Sequence, residues 1–325
     1  MTPSASTSQT LPALRLGTRA SLLARTQSEL VAATLRERLG RAVDLVEITT
    51  EGDVNRAALA TLGGTGVFVT ALREALLRGD VDIAVHSLKD LPTTPHDGIT
   101  LAAVPTREDP RDAVVARDGL TLGQLPVGSV VGTGSPRRAA MLHALGYGLE
   151  VVAIRGNIDT RVGKVAAGEV DAVLLARAGL ARIGRLDEVT EVLDPLQMLP
   201  APGQGALAVE CRSDDAVLVA DLAVLDDPHT RAAVTAERAV LATLEAGCSA
   251  PVGALADVVE GDDGPDSTEL WIRAVVLSAD GGLTVRMSAS GPTGDAFGVG
   301  TRLAEQMLDE GAADLMEAPA RKQHA

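Results

Sequence analysis

A chain of 325 residues, 46% hydrophobic and 22% charged, is long enough for two or three packed domains and has the composition of a folded protein. A formal net charge of −15 argues against a general nucleic-acid binder, and only four aromatic residues (Phe68, Tyr147, Trp271 and Phe297) leave no base-stacking platform. Two cysteines make no disulfide framework, no apolar run reaches the ~18–20 residues of a membrane span, and the opening MTPSASTSQTLPA lacks a basic-then-apolar leader, so the expected setting is the cytoplasm.

Residues 1–12 and 317–325 are expected to be disordered tails. Between them, strand Ala13–Leu16 precedes an amphipathic helix, Ser21–Leu39, with Ser21 as its N-cap. Strand Val43–Ile48, helix Val67–Arg78 and strands Val81–Val85 and Thr100–Val104 complete a βαβα order, which implies a mostly parallel sheet with helices on its faces. After the charged, proline-broken REDPRD (Arg107–Asp112) the pattern restarts. Strands are expected at Ala113–Ala116, Ser129–Gly132, Leu149–Ile154 and Ala172–Leu175, with helices Ser135–Leu145 and Thr160–Ala167. The block ends in the breaker-rich LPAPGQG (Leu199–Gly205), and the strand-like Ala206–Cys211 is expected to return to the first lobe. Two crossings then make a hinge. The final third reads as helix His229–Leu244, strands Pro251–Val258, Leu270–Leu277 and Leu283–Ser290, and helix Phe297–Glu310, with the acidic Glu260–Glu269 as a surface loop. The expected domains are 13–106 with 205–225, then 107–204, then 226–316.

Ligands of parallel α/β sheets bind beyond the carboxyl ends of strands, and Val81–Val85 runs out into HSLKDLP (His86–Pro92). A Lys–Asp pair there reads either as a solvated turn or as a catalytic pair; Lys89 stands out as one of three lysines beside 26 arginines. His86 reads as a satisfied strand-end histidine, and no other His, Cys or carboxylate has metal-ligand spacing. GGTG (Gly63–Gly66) has neither P-loop nor dinucleotide spacing; it is a mobile connection or a lid. Arg19, Arg137, Arg138, Arg155, Arg161 and Arg182 each fit a solvated surface. Together, at strand exits, they outline a cleft for several carboxylates or phosphates, and Ser135 at a helix start adds an anion donor. Cys248, in the loop EAGCSAP, is open between a reactive and a structural thiol, whereas Cys211 lies in an alternating strand and reads as packing.

Ten motifs in order carry a resemblance: LRLGTRAS, ITTEGD, GGTGVF, DIAVHSLKDLP, REDPRDA, VGTGSPRR, IRGNIDTR, LPAPGQGALAVECR, TAERAVL and EAGCSAPVG. From Leu14 to Leu315 the chain resembles the hydroxymethylbilane synthase (porphobilinogen deaminase) family. The resemblance implies an α/β fold of two hinged, periplasmic-binding-protein-like lobes with mixed, mostly parallel sheets, plus a C-terminal α+β domain with a three-stranded antiparallel sheet. It implies a transferase that joins four porphobilinogen molecules head to tail onto a covalent dipyrromethane primer, releases ammonia, and frees hydroxymethylbilane for a cyclising uroporphyrinogen-III synthase. The primer's cysteine falls on Cys248 and the catalytic carboxylate on Asp90, with Lys89 beside it. Ser87, Thr133, Ser135, Arg137, Arg138 and Phe68 fall on the cofactor's side of the cleft. Arg19, Ser21, Arg155, Arg161, Arg182, Gln204 and Asp53 fall on the substrate's side. Thr61 and Thr65 depart from the pattern, standing where some members have lysines, as does Ser249, where others carry Gln.

The implied chemistry suits the residues. Each porphobilinogen brings an acetate and a propionate, so a growing chain needs several fixed guanidinium groups. Loss of ammonia leaves an electrophilic azafulvene, and a carboxylate at the pyrrole N–H groups stabilises the cationic character that develops. The expected state is a monomer, with no metal, nucleic acid or membrane partner. The rival reading is a non-catalytic two-lobed anion-binding module, which gives the loop cysteine no task; a dinucleotide enzyme lacks its glycine fingerprint.

Overall fold

The computed structural model describes residues 12–48, 64–246, 250–261 and 267–317. Expectations for Asp53, Thr61, Gly63, Cys248, Ser249 and the tails beyond Pro12 and Glu317 lie outside the described residues, as does the side chain of Phe68; Glu317 itself ends a helix. The chain divides into two compact units: Met1–His86, Pro95–Ala103 and Ala208–Asp226 form one, and Ser87–Thr94, Val104–Leu207 and Asp227–Ala325 the other.

The first unit is built on a five-stranded sheet of β1 (Leu14–Thr18), β2 (Val43–Glu47), β3 (Ile83–Ser87), β4 (Ile99–Ala103) and, from far along the chain, β10 (Leu207–Arg212), in the order β2-β1-β3-β10-β4. β1 runs parallel to β2 and β3, while β10 is antiparallel to β4. Helix α1 (Leu22–Leu39) starts where the Ser21 hydroxyl accepts from Ala24 N at 3.4 Å, and it stops at Gly40, whose φ of 61° suits glycine. Helix α2 (Gly64–Arg78) packs Leu72, Ala75 and Leu76 against Val81 and Ala84. It begins three residues earlier than expected, so Gly64, Thr65 and Gly66 form its first turn rather than a connection. β3 runs two residues beyond expectation and takes in His86 and Ser87.

One buried charge cluster crosses this unit. Arg73 on α2 donates from Nε and Nη2 to Glu210 on β10 at 3.0 and 2.7 Å, and His86 Nε2 lies 3.3 Å from the same carboxylate. Burial would raise the Glu210 pKa; His86 and Arg73 reverse that and hold it at about 2. A carboxyl held below its unfolded value lends stability that is complete above ~pH 4.3 and is lost as pH falls through the folded value. The melting temperature should therefore drop more steeply between those limits in the wild-type chain than in Glu210→Gln, as followed by circular dichroism. Equal slopes would refute the assignment.

The second unit holds two sheets. β5 (Asp112–Ala116), β6 (Val130–Thr133), β7 (Glu150–Ala153), β8 (Ala172–Ala176) and β9 (Glu191–Val192) lie in the order β7-β6-β8-β5-β9. This repeats the plan of the first sheet, with a strand reached across a crossing segment placed between the third and the last. β6 is parallel to β7 and β8, and β5 is antiparallel to β8 and β9. Helices α3 (Pro136–Leu145), α4 (Ile158–Ala166) and the short α5 (Arg177–Arg182) follow β6, β7 and β8. The remaining helix of the first unit, α6 (Ala216–Leu222), comes after β10. The other sheet is antiparallel throughout: β11 (Val252–Glu260), β12 (Thr268–Leu277) and β13 (Thr284–Pro292). Its strands reach into the expected acidic loop as far as Glu260 and from Thr268. Helices α7 (Pro228–Thr243), α8 (Ala296–Asp309) and α9 (Ala312–Glu317) cover it, burying Ala236, Val240, Leu303 and Met307 against Ala254, Ile272 and Ala274.

The two crossing segments are laced together within the second unit. Arg107 Nε donates to Gln204 O at 2.8 Å, Gln204 Nε2 to Pro110 O at 2.6 Å, and Glu108 N to Gly205 O at 3.3 Å. Gly205 has a φ of +88°, and a Cβ there would sit 2.3 Å from Glu108 O, so no other residue fits. Glu237 of α7, fully buried, accepts two bonds from Arg107 at 2.7 and 3.0 Å, one from Gly203 N at 2.6 Å and one from Ala256 N at 2.9 Å. No helix among the described residues is long and apolar enough to cross a membrane.

Candidate active site

The pair Lys89–Asp90 closes a single 3-10 turn, Leu88–Asp90, at the end of β3. Fully buried Leu88 anchors the turn, and its N–H donates to Ala206 O at 3.0 Å. On the far side Arg238 of α7 donates to Leu91 O and Pro92 O at 3.0 and 2.6 Å. Gly203 presses close from the LPAPGQG crossing: a Cβ there would lie 3.3 Å from Lys89 N. Both side chains are half-buried, so the turn presents them from a fixed backbone.

Strand β6 and helix α3 supply the next residues. Buried Thr133 accepts at its hydroxyl from Ser135 N at 3.2 Å, and the Ser135 hydroxyl caps α3 by accepting from Arg138 N at 3.4 Å. Pro136 at the first helical position leaves Arg137 and Arg138 in the first turn, both buried. Arg138 donates to Asp112 from Nε and Nη2 (3.1 and 2.7 Å), and from Nη1 to Leu174 O (3.0 Å). Arg137 turns inward too, to Asp112 at 2.7 Å and Leu199 O at 2.5 Å, leaving its buried Nε without a hydrogen-bond partner.

Gln204, 1% exposed, joins the two halves: Lys89 Nζ donates to its Oε1 at 3.2 Å, and its Nε2 donates to Asp112 at 2.7 Å. Burial, then repulsion from Arg138, pushes the Lys89 ammonium down to about 8, against the pull of Asp90 and Asp112. Burial, then Arg138, also lowers Arg161, which donates from Nε to Gly156 O at 2.8 Å. Arg182 is lowered by burial and donates to Gly205 O at 2.6 Å. Arg155 is exposed on the loop before α4. Thus Lys89, Arg137, Arg138, Arg161, Arg182 and Gln204, with Ser87, Thr133 and Ser135, belong to one compact unit; Arg19 and Ser21 belong to the other. The one buried carboxylate in this network, Asp112, was missed by sequence reasoning; its signal was an acidic residue opening the otherwise apolar strand DAVVA. Among the described residues no group of His, Cys, Asp and Glu could hold a metal ion.

The sequence profile described as "Porphobilinogen deaminase, dipyromethane cofactor binding domain" matches residues 14–220, and "Porphobilinogen deaminase, C-terminal domain" matches residues 231–309. The chain belongs to the porphobilinogen deaminase family. It is 60% identical over 308 residues to a porphobilinogen deaminase of Mycobacterium tuberculosis, covering 93% of this chain and 98% of the relative. It is equally similar, 60% over 312 residues, to porphobilinogen deaminase 1 of Streptomyces coelicolor, covering 94% and 97%. Among solved structures, a periplasmic substrate-binding protein of an ABC transporter from Coxiella burnetii aligns with 65% of this chain and 91% of its own, at 15% identity and a TM-score of 0.42. Membership makes the chain a transferase of tetrapyrrole biosynthesis whose cofactor is dipyrromethane.

The residues present fit such a group. Lys89, Arg137 and Arg138, with Arg161 acting on Arg138, set four positive side chains against two carboxylates, Asp90 and Asp112. In a chain of net charge −15, that local surplus suits a ligand bearing several carboxylates.

Proposed function

We propose that this chain condenses four porphobilinogen molecules head to tail on a dipyrromethane held by Cys248, with Asp90 as the catalytic carboxylate. The observation that carries the reading is the cationic cluster around one half-buried Lys–Asp turn. Arg138, Lys89 and the Ser135 hydroxyl, with Ser87 and Thr133, would hold the cofactor's acidic side chains, while Arg137 supports Asp112 from behind. Arg155, Arg161 and Arg182 would take those of the incoming ring and growing chain. When bound, dipyrromethane supplies the nucleophilic pyrrole carbon on which the chain grows. Asp90 holds the pyrrole N–H groups, stabilises the positive charge that develops as ammonia departs, and transfers the proton between leaving amine and ring carbon. Arginine suits the binding role because guanidinium stays charged and pairs carboxylates two bonds at a time.

The same reading supports the partition into residues 13–106 with 205–225, residues 107–204, and residues 226–316, since each span holds one of the three sheets; the second and third share a core in which Leu255, Val275 and Leu277 pack with Met141 and Leu174. It also entails work as a monomer in the cytoplasm, with the product passed to a cyclising enzyme. The test is the intact mass of the purified chain beside its Cys248→Ala variant. An excess equal to two porphobilinogen units less two ammonias, present only with Cys248 and regained by a depleted preparation on incubation with porphobilinogen, is the expected result. A wild-type mass that stays unmodified after that incubation would sink the proposal.

A further inference from the structure

We propose that Asp112 is a positioning residue, whose buried carboxylate holds Arg138 and the Gln204 amide in the one arrangement that fixes the Lys89 ammonium beside Asp90. The inference rests on the function proposed above. Asp112 opens β5, is 0% exposed, and touches neither Lys89 nor Asp90 by hydrogen bond; it acts through others.

The argument is one of donors and acceptors. An ionised carboxylate only accepts, so every group facing it must present a hydrogen. Oδ1 takes Arg138 Nε and Nη2 and also Gln204 Nε2, while Oδ2 takes Arg137 Nη2. Gln204 Nε2 is held a second time by Pro110 O at 2.6 Å. With its nitrogen committed to those two acceptors, the amide oxygen must face the other way. There it accepts from Lys89 Nζ at 3.2 Å and lies 3.4 Å from Arg138 Nη2. An asparagine at 112 carries both a donor and an acceptor, so it no longer dictates which way the amide points.

The same carboxylate sets the charge balance. The charged groups acting on Lys89 are Asp90 from its own turn, Arg137 and Arg138 from α3, and Asp112 from β5. Burial would raise the Asp112 pKa; Arg137 and Arg138 more than reverse this and keep it well below the usual carboxylate range, so it stays ionised at neutral pH. Removing its charge leaves two guanidinium groups behind Lys89 with one counter-charge fewer. The ammonium then loses its proton more readily.

Two readouts test this on the full-length chain. One is the rate at which acetic anhydride labels Lys89 across pH, with Lys164 as internal reference, resolved by peptide mass spectrometry; only three lysines are present. The other is the pH profile of turnover by loaded protein. In primer-free chain (Cys248→Ala), where no cofactor carboxylate faces the ammonium, the labelling midpoint of Lys89 should lie near pH 8. With Asp112→Asn added it should fall by about one pH unit, and the alkaline limb of turnover by loaded Asp112→Asn should fall with it. A merely loosened site would move the midpoint the opposite way, towards that of an ordinary lysine. An unchanged or raised midpoint when Asp112→Asn is added to the folded primer-free chain overturns the proposal, as does an ordinary lysine midpoint in primer-free chain that keeps Asp112. Should the single variant not fold, the double variant Asp112→Asn/Arg137→Met is compared with Arg137→Met alone; the same fall is expected, and its absence is equally fatal. A wild-type chain that carries no primer and consumes no porphobilinogen refutes the function instead, and the labelling shift still decides the role of Asp112.

Discussion

Replacing Asp90 by asparagine should cut turnover of porphobilinogen by about 10²–10⁴-fold while leaving the fold and the primer mass in place. The substitution keeps shape and removes charge. The backbone of the turn owes nothing to the Asp90 carboxylate: Leu88 anchors it from below, Ala206 O holds its start, and Arg238 grips Leu91 and Pro92 just beyond it. A large fall in rate would therefore report lost chemistry and not lost structure. Initial rates at saturating porphobilinogen, with intact-mass spectra of the stalled protein, make the measurement. Chains that accumulate with fewer than four added rings would show that Asp90 acts in each coupling. A variant within tenfold of wild type would remove Asp90 from the mechanism and return the Lys–Asp pair to the status of a solvated turn.

The second large effect is on stability, at Glu237. Its carboxylate is fully buried and receives four hydrogen bonds, two from Arg107 and two from backbone N–H groups of Gly203 and Ala256. Glu237→Ala strands a buried guanidinium and leaves two amides without acceptors, which should cost about 3–5 kcal/mol. The melting temperature should fall on the order of 10 °C. The double variant Glu237→Met/Arg107→Met removes both charges together and should recover part of the loss, because the penalty of an unpaired buried ion disappears. A single variant that melts within two or three degrees of wild type, by calorimetry, would show that water or a rearranged side chain takes over the role of the carboxylate.

Local signals were the legible part of this sequence. Ser21 and Ser135 announce the starts of α1 and α3 because a hydroxyl cap and its target amide are three residues apart. The antiparallel sheet of the last third shows in three strand-like runs, and the burial of β13 alternates along its whole length, whereas β12 ends in four buried residues. By contrast, α5 escaped notice: six residues, ARG-rich and short, are less than two turns and show no helical period. The start of α2 was placed late because glycines read as a break, and here they fill a first turn instead.

The buried acids were invisible for a different reason. Glu210 finds Arg73 137 positions away, Glu237 finds Arg107 130 away, and Asp112 finds Gln204 92 away. No spacing rule spans such distances. Each did leave one faint mark, an acidic residue standing among apolar ones: Asp112 before AVVA, Glu210 in ALAVEC, and Glu237 flanked at helical spacing by Ala233, Val234 and Val240. The resemblance named Lys89, Asp90 and the arginines, yet it did not say which guanidinium groups face inward. Arg137, 3% exposed and bonded to Asp112 and Leu199, shows that a motif can place a residue in a region without placing its functional atoms on the ligand.

The lacing of the crossings by Glu237 bears on how this chain can be cut. The cofactor-binding profile ends at residue 220, and a fragment trimmed there would look like a self-sufficient module. Its Arg107 and Gly203 would then face an empty position, since the acid that satisfies both comes from α7, beyond the cut. Arg238, which steadies the Lys89–Asp90 turn, would go with it. Fragment expression, domain exchange between relatives and nascent-chain folding are all subject to the same constraint. The Lys89–Asp90 turn can gain its contacts from Arg238 only once the ribosome has released the helix that follows the apparent boundary.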